Sequence, residues 1–232
     1  SYLTLFLLAY TLSFAQRADT SVVNQLNRQA TAYLQVNLDS INYFAQQART
    51  MAKQLGYQRG IAESYLGSCM YNRMKGNSAV ALEEGLRGLE MFEKSGDSRG
   101  KAKASVQIAQ VYKEFAGARL NDEYLAKGIE FANRATHIYE SLKDSTELPT
   151  SINVTGIIFR DRGKIAGQAY FYDSAFNCYV RGIDIVKRQG GDSYALARLY
   201  NNISQVYIEH KKDYPTALHY SQMAVDLNKQ RN

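Results

Sequence analysis

Tryptophan is absent from the 232 residues, and proline and cysteine occur only twice each. Two prolines leave room for long uninterrupted helices and few rigid turns. Two cysteines, Cys69 and Cys178, exclude a disulfide-stapled scaffold and a cysteine-based zinc site. Both read as small apolar residues, buried or half-buried. Histidine occurs three times, and only His210 and His219 stand near one another, nine residues apart across a turn. That spacing is poor for a shared metal, so His137, His210 and His219 read as surface or helix-end residues, and no metal is expected. Also missing are a Ser-His-Asp order, a glycine-rich phosphate loop and an HExxH pair. No stretch alternates with the period of two that a half-buried strand needs. Enzymatic chemistry and a bound cofactor are therefore not expected.

What is present describes a globular, helical chain. Apolar residues make up 45% and charged residues 22%, enough to build a core. The net charge is +6, and it is dispersed. Lys101/Lys103, Arg160/Arg162/Lys164, Lys187/Arg188 and Lys211/Lys212 fall mostly at helix ends. A nucleic-acid groove would want a clustered basic face with aromatic stacking partners, so nucleic acid is not an expected partner. Asp161 between Arg160 and Arg162 reads as a charge cluster at a helix end, not an acid–base pair.

Residues 1–15 stand apart. Tyr2 to Ala15 carries no charge, and its densest apolar part, Leu3 to Ala9, falls far short of the ~20 residues of a membrane span. It matches the apolar region of a secretory signal peptide, with Ser13-Phe14-Ala15 as the small-x-small pattern before cleavage at Gln16. The basic start of such a peptide and an initiator Met are absent, so the expectation is a truncated signal peptide inside a longer reading frame. The alternative is a first amphipathic helix docked on the next.

The rest of the chain repeats. Ala48, Gly88, Ala135, Gly182 and Ala224 sit late in apolar, helix-like stretches, spaced by 40, 47, 47 and 42 residues. Seven residues before each lies Ile41, Ala81, Gly128, Ala175 or Ala217, two helical turns away on the same face. Upstream, Tyr71, Tyr112, Phe159 and Tyr207 each follow a small residue by three: Ser68, Ala109, Gly156 and Ser204. A small residue one turn from a large one lets a neighbouring helix approach beside an anchor. From aromatic to next small residue the distances are 10, 16, 16 and 10. The two middle insertions fall at Ala118–Leu125 and Lys164–Tyr170, and read as lengthened helices or an enlarged turn. Breaks at Gly56–Gly60, Ser95–Gly100, Lys143–Ser145 and Gln189–Ser193 supply Gly C-caps and Asp or Ser N-caps. The spacing predicts helices near 22–37, 39–55, 58–75, 78–94, 98–117, 122–142, 147–163, 170–188, 193–211 and 214–229.

Ala217 to Ala224, after Tyr207 and the Asp213-Tyr214-Pro215 turn, resembles the second half of a tetratricopeptide repeat (TPR). Asn201 to Tyr207 resembles the first half, and Tyr172-Asp173-Ser174-Ala175 the family's turn-plus-alanine start of its second helix. The resemblance covers about 20–232, in repeats near 20–56, 57–96, 97–144, 145–191 and 192–232. They run longer than the family's usual ~34 residues, with joints of a Gly-Asp-x-x-Gly kind. This long variety, behind an apolar leader ending Phe-Ala-Gln, resembles exported input domains of Bacteroidetes-type sensor kinases and regulators. The resemblance implies an all-α, right-handed superhelical solenoid of about five antiparallel helix pairs. It also implies a concave face, lined by the first helix of each pair, that binds a protein or peptide.

One-turn register from the aromatic markers places Tyr65, Asn72 and Arg73; Gln110 and Lys113; Asn153 and Arg160; and Asn201 and Gln205 on that face. Cys69, Val106, Glu114, Ile157, Asp161, Ile208 and Glu209 share the register. Asn and Gln can bind a peptide backbone through donor and acceptor together. Arg73, Lys113 and Arg160 can take a carboxylate. The other reading of each is an ordinary solvated groove residue. Tyr65 and Cys69 stand where chaperone-binding members carry a Lys–Asn carboxylate clamp, so that activity is not expected. The expected function is a non-enzymatic binding module, the exported sensory or scaffolding part of a larger signalling protein. The alternative is a cytosolic regulator that binds a signalling peptide. Residues 226–232 end without a polar capping helix, so the chain is expected to continue, with a membrane contact only through such a downstream segment, or to be covered there by a homodimer partner.

Overall fold

The structure, a computed structural model, describes residues 19–31, 37–119 and 121–229. The candidate leader, residues 1–15, lies outside them. The described residues are helical almost throughout and include no strand. Helix α1 covers 19–31. It is followed by α2 (Leu38–Gln54), α3 (Gln58–Met74), α4 (Ser78–Ser95), α5 (Ser98–Arg119) and α6 (Asp122–Ser141). Then come α7 (Leu148–Ala166), α8 (Ala169–Arg188), α9 (Ser193–Val206) and α10 (Tyr214–Lys229). The middle insertions are absorbed as extra helical length. Helix α5 has 22 residues and α6 has 20, against 17 for α3. The stretch expected as one helix over 193–211 is instead α9 followed by a π-helical turn, Tyr207–Lys211.

Two compact units divide at Gln107 and Ile108, within α5. In the first, α2 packs on α3 and α3 on α4. In the second, α6 packs on α7, α7 on α8, α8 on α9 and α9 on α10. The small-residue register explains both. Ala48, Gly88, Ala135, Gly182 and Ala224 are all buried, and so are their partners seven residues earlier. A Cβ on Gly88 would stand 3.2 Å from the Ala62 carbonyl oxygen, and one on Gly128 3.2 Å from that of Ala109. Backbones meet at these positions, and a larger side chain would push the helices apart.

The joint between α4 and α5 shows why its residues are what they are. Gly96 closes α4 in the left-handed region at φ 70°, which costs an L-residue with a Cβ but not glycine. Asp97 then caps α5, its Oδ1 accepting from the Gly100 N–H at 2.8 Å. Gly100 lies against the fully buried Phe92 ring, where no side chain fits. Asn37, Asn121 and Asp192 cap α2, α6 and α9 in the same way.

Candidate functional site

Helix α7 and the π-helical turn that follows α9 carry the polar groups of the second unit. Arg160 lies on α7 with only 15% of its side chain exposed. Its Nη2 donates to Asp161 at 3.1 Å, and its Nε stands 3.7 Å from Glu209 Oε2. Lys164, one turn further along α7, holds Glu209 Oε1 at 2.7 Å. Burial works against the Arg160 charge, but Tyr179, Asp161 and Glu209 outweigh it and raise its pKa above the ordinary value. Tyr179 of α8 packs on α7 at Gly156. A Cβ there would stand 2.5 Å from the Tyr179 ring. Tyr179 is fully buried, and that burial pushes its phenol pKa up, so it stays protonated.

The π-helical turn sets the other side. It widens the helix by one residue at Tyr207–Lys211 and ends at Lys212 in the left-handed region, φ 55°. Such turns recur at functional sites because they re-aim side chains. Here Glu209 meets Arg160 and Lys164, and the His210 ring stacks on Tyr172 with centroids 4.7 Å apart. His210 is thus half-buried on an aromatic face, in the last turn of the π-helical segment.

Three of the nine groove candidates lie in the first unit and six in the second. Arg160 joins the cluster just described. Asn153 is 4% exposed, and its Oδ1 accepts from Asn202 Nδ2 at 2.7 Å. Its amide ties α7 to α9. Asn201 is exposed and Gln205 half-buried on α9. On α5, Gln110 and Lys113 are half-buried, and Lys113 pairs with Glu114 at 3.1 Å. In the first unit Tyr65 carries the Arg49 guanidinium 3.9 Å above its ring, and Arg73 is half-buried in the last turn of α3. Asn72 donates to the Ser68 carbonyl of its own helix at 3.0 Å. Cys69 and Val106 are buried. Burial holds the Cys69 thiol up at about 12 and the Cys178 thiol at about 11.

Several polar groups escaped the sequence reading. Arg49 on α2 binds Glu84 on α4 at 2.6 Å and Ser68 on α3 at 2.8 Å. Arg162 grips Asp122 with two bonds of 2.7 Å while lying 4.4 Å above the Phe171 ring. Arg162 therefore belongs to a clamp joining α6, α7 and α8. Among the described residues no group of three or more His, Cys, Asp or Glu could hold a metal ion, and no helix is long and apolar enough to cross a membrane.

No family model and no curated protein matches the chain. Solved structures do. BtubC (BKLC) from P. vanneervenii is 14% identical, with a TM-score of 0.63 over 95% of this chain and 92% of that one. A putative kinesin light chain from Podosopora anserina with nearly identical TPR-like repeats is 12% identical, with a TM-score of 0.58 over 90% and 96%. Aspartyl phosphate phosphatase F from Bacillus subtilis is 13% identical, with a TM-score of 0.61 over 89% of this chain and 59% of that one. At these identities the likeness concerns the fold alone. The fold is all-α and TPR-like.

Proposed function

We propose that the chain is a non-enzymatic module that binds a protein or peptide. The observation that carries this reading is the Arg160–Asp161–Lys164–Glu209 cluster, half-buried and incompletely hydrogen-bonded, on helices of a TPR-like array. Charges held so deep repay their desolvation poorly unless a further partner completes their hydrogen bonds. The test is selection of a random peptide display library on the full chain. Selected peptides should bind saturably, and Arg160→Ala should weaken them at least tenfold while the helical circular dichroism stays unchanged. Failure to enrich any peptide, or binding indifferent to Arg160 and the other candidate residues, overturns the reading.

The module serves as the exported sensory or scaffolding part of a larger signalling protein. The uncharged apolar run Tyr2 to Ala15 with its Ser13-Phe14-Ala15 pattern supports export. The long Gly-Asp-x-x-Gly joints support the sensor resemblance. Mass spectrometry of the protein from its native host, fractionated by compartment, tests this. A mature N-terminus at Gln16 outside the cytoplasm is expected. A cytosolic form that retains residues 1–15 would select the cytosolic regulator instead.

A further inference from the structure

A cavity of about 20 Å³, open on one side to solvent, lies between the first turns of α7 and α9. Its walls are Pro149, Thr150 and Asn153 from α7 and Ala195, Arg198 and Leu199 from α9. Spacings of three and four residues put each trio on one face of its helix. The same two helices carry four of the groove candidates, Asn153, Arg160, Asn201 and Gln205.

The polar groups on these walls share one character. Asn153 is 4% exposed, and its Oδ1 is taken by Asn202 Nδ2. Its own Nδ2 makes no hydrogen bond among the described residues. Folded proteins rarely leave such a group idle. The Thr150 hydroxyl also has no partner among the described residues, and Arg198 has no carboxylate within ion-pair distance there. Arg198 is exposed at the rim, its guanidinium 5.6 Å from the centre of the Tyr194 ring. Stacking of that kind leaves the in-plane N–H edges free. The first turn of α7 adds the positive end of its dipole. Neither Glu147 before α7 nor Asp192 before α9 lines the cavity, and Asp192 is spent on the Tyr194 N–H at 3.0 Å.

What fits must accept hydrogen bonds and carry negative charge, because the walls offer donors and a cation. A carboxamide brings an N–H₂ that finds no acceptor here but the Thr150 oxygen, and leaves Arg198 uncompensated. The enclosed space is little more than a single water needs, so it seats one oxygen and not the several of a phosphate. A carboxylate meets both limits. One oxygen enters between Asn153 Nδ2 and the Thr150 hydroxyl, and the other stays at the rim for the Arg198 guanidinium. Pro149, Ala195 and Leu199 give the rest of the wall an apolar surface, which suits a short aliphatic stem.

We propose that Arg198, Thr150 and Asn153 form a binding site for a carboxylate, the side chain of an aspartate or glutamate in the peptide partner. The proposal rests on the peptide-binding reading above and adds an acidic residue that the peptide must carry, at a place separate from the Arg160 cluster.

The test titrates the full ¹⁵N-labelled chain with acetate at constant ionic strength and follows the Asn153 side-chain amide and Arg198 Nε–H resonances. Both should move saturably, with one shared Kd. Acetamide, which lacks the charge, and inorganic phosphate, which exceeds the space, should bind at least fivefold more weakly. Chloride should leave both resonances in place. Arg198→Gln should weaken acetate at least tenfold and Thr150→Val at least threefold, with the helical circular dichroism unchanged. Peptides selected on the chain should carry an Asp or Glu whose change to the amide costs at least tenfold, and under twofold on Arg198→Gln. Resonances that acetate does not move leave the cavity to ordered water and overturn the proposal. An equal response to chloride, or tighter binding of phosphate, overturns it as well. Loss of peptide binding on amidation of the peptide's C-terminus would assign the carboxylate to a chain end and overturn the side-chain assignment. If acetate binds but no peptide is selected, the peptide reading fails and the carboxylate site stands. If selected peptides bind without regard to Asp or Glu and acetate is silent, only the carboxylate proposal fails.

Discussion

Arg49 in the first unit and Arg160 in the second are buried to a similar depth, with 19% and 15% of their side chains exposed. The fold spends them differently. Arg49 donates to Ser64 Oγ at 3.2 Å, to the Ser64 carbonyl at 3.3 Å, to Ser68 at 2.8 Å and to Glu84 at 2.6 Å. Its flat face rests on Tyr65. Three helices are pinned by one guanidinium, and little remains for a ligand. Arg160 binds only the neighbouring Asp161 within hydrogen-bond distance and keeps Nε unbonded. Burial and charge are alike in the two places. Spare hydrogen-bonding capacity separates a structural lock from a candidate site.

The comparison breaks most severely at Gly156. Gly156→Ala sets a methyl 2.5 Å from the ring of a tyrosine that has no exposed surface. Overpacking of this kind costs up to about 3 kcal/mol, and the urea midpoint should fall accordingly. In the first unit, Glu84→Ala removes the carboxylate and leaves Arg49 with serines alone. A hydrogen-bonded, mostly buried ion pair broken from one side loses about 2 kcal/mol. Glu209→Gln should cost under about 0.5 kcal/mol, since Lys164 is partly solvated and one Glu209 oxygen has no hydrogen bond to lose. Urea denaturation of the two variants side by side checks the contrast. Equal losses would mean that both clusters are locks.

The helix pairing was legible because it rests on backbone approach. Where helices touch, only small residues fit, and Gly88 and Gly128 announce the contact at a spacing that survives in one sequence. The Gly96–Asp97–Gly100 joint was legible for a similar reason, since the left-handed φ and the cap both constrain residue type. The candidate site was legible only in part. Register on a single helix gave Arg160 and Asn153 the same standing, and it could not show that Asn153 is bonded to Asn202 of another helix. Tyr179 was invisible as a site residue. Its relation to Arg160 passes through Gly156, and 19 residues separate the two. Nothing in Tyr207–Lys211 departs from helical periodicity, so the π-helical turn that aims Glu209 left no trace.

Alkali should weaken both units, by a smaller amount. Burial raises the Cys69 thiol from 9.0 to about 12 and the Cys178 thiol to about 11, while the unfolded thiols ionise at ordinary values. Above pH 9 the folded state therefore holds protons that the unfolded state has released, and stability falls as pH rises. The slope is at most about 1.4 kcal/mol per pH unit for each proton retained. Urea unfolding at pH 8, 9 and 10 should show the decline, and Cys69→Ala should flatten it. A decline unchanged in Cys69→Ala would move the cause to Cys178 or the tyrosines.

The one change expected not to destabilise is the most discriminating. Tyr179→Phe removes a buried hydroxyl that bonds to nothing in the free protein, and keeps the ring that covers Gly156. A buried polar atom without a partner is a cost, so its loss should leave stability unchanged or raise it by under about 1 kcal/mol. A hydroxyl engaged with a fixed water would behave oppositely, and its removal would destabilise. The sign of one urea midpoint thus tells whether the Tyr179 hydroxyl is bonded in the folded chain, and a second hydroxyl removal, Ser68→Ala beneath Arg49 in the first unit, supplies the destabilising standard against which that sign is read.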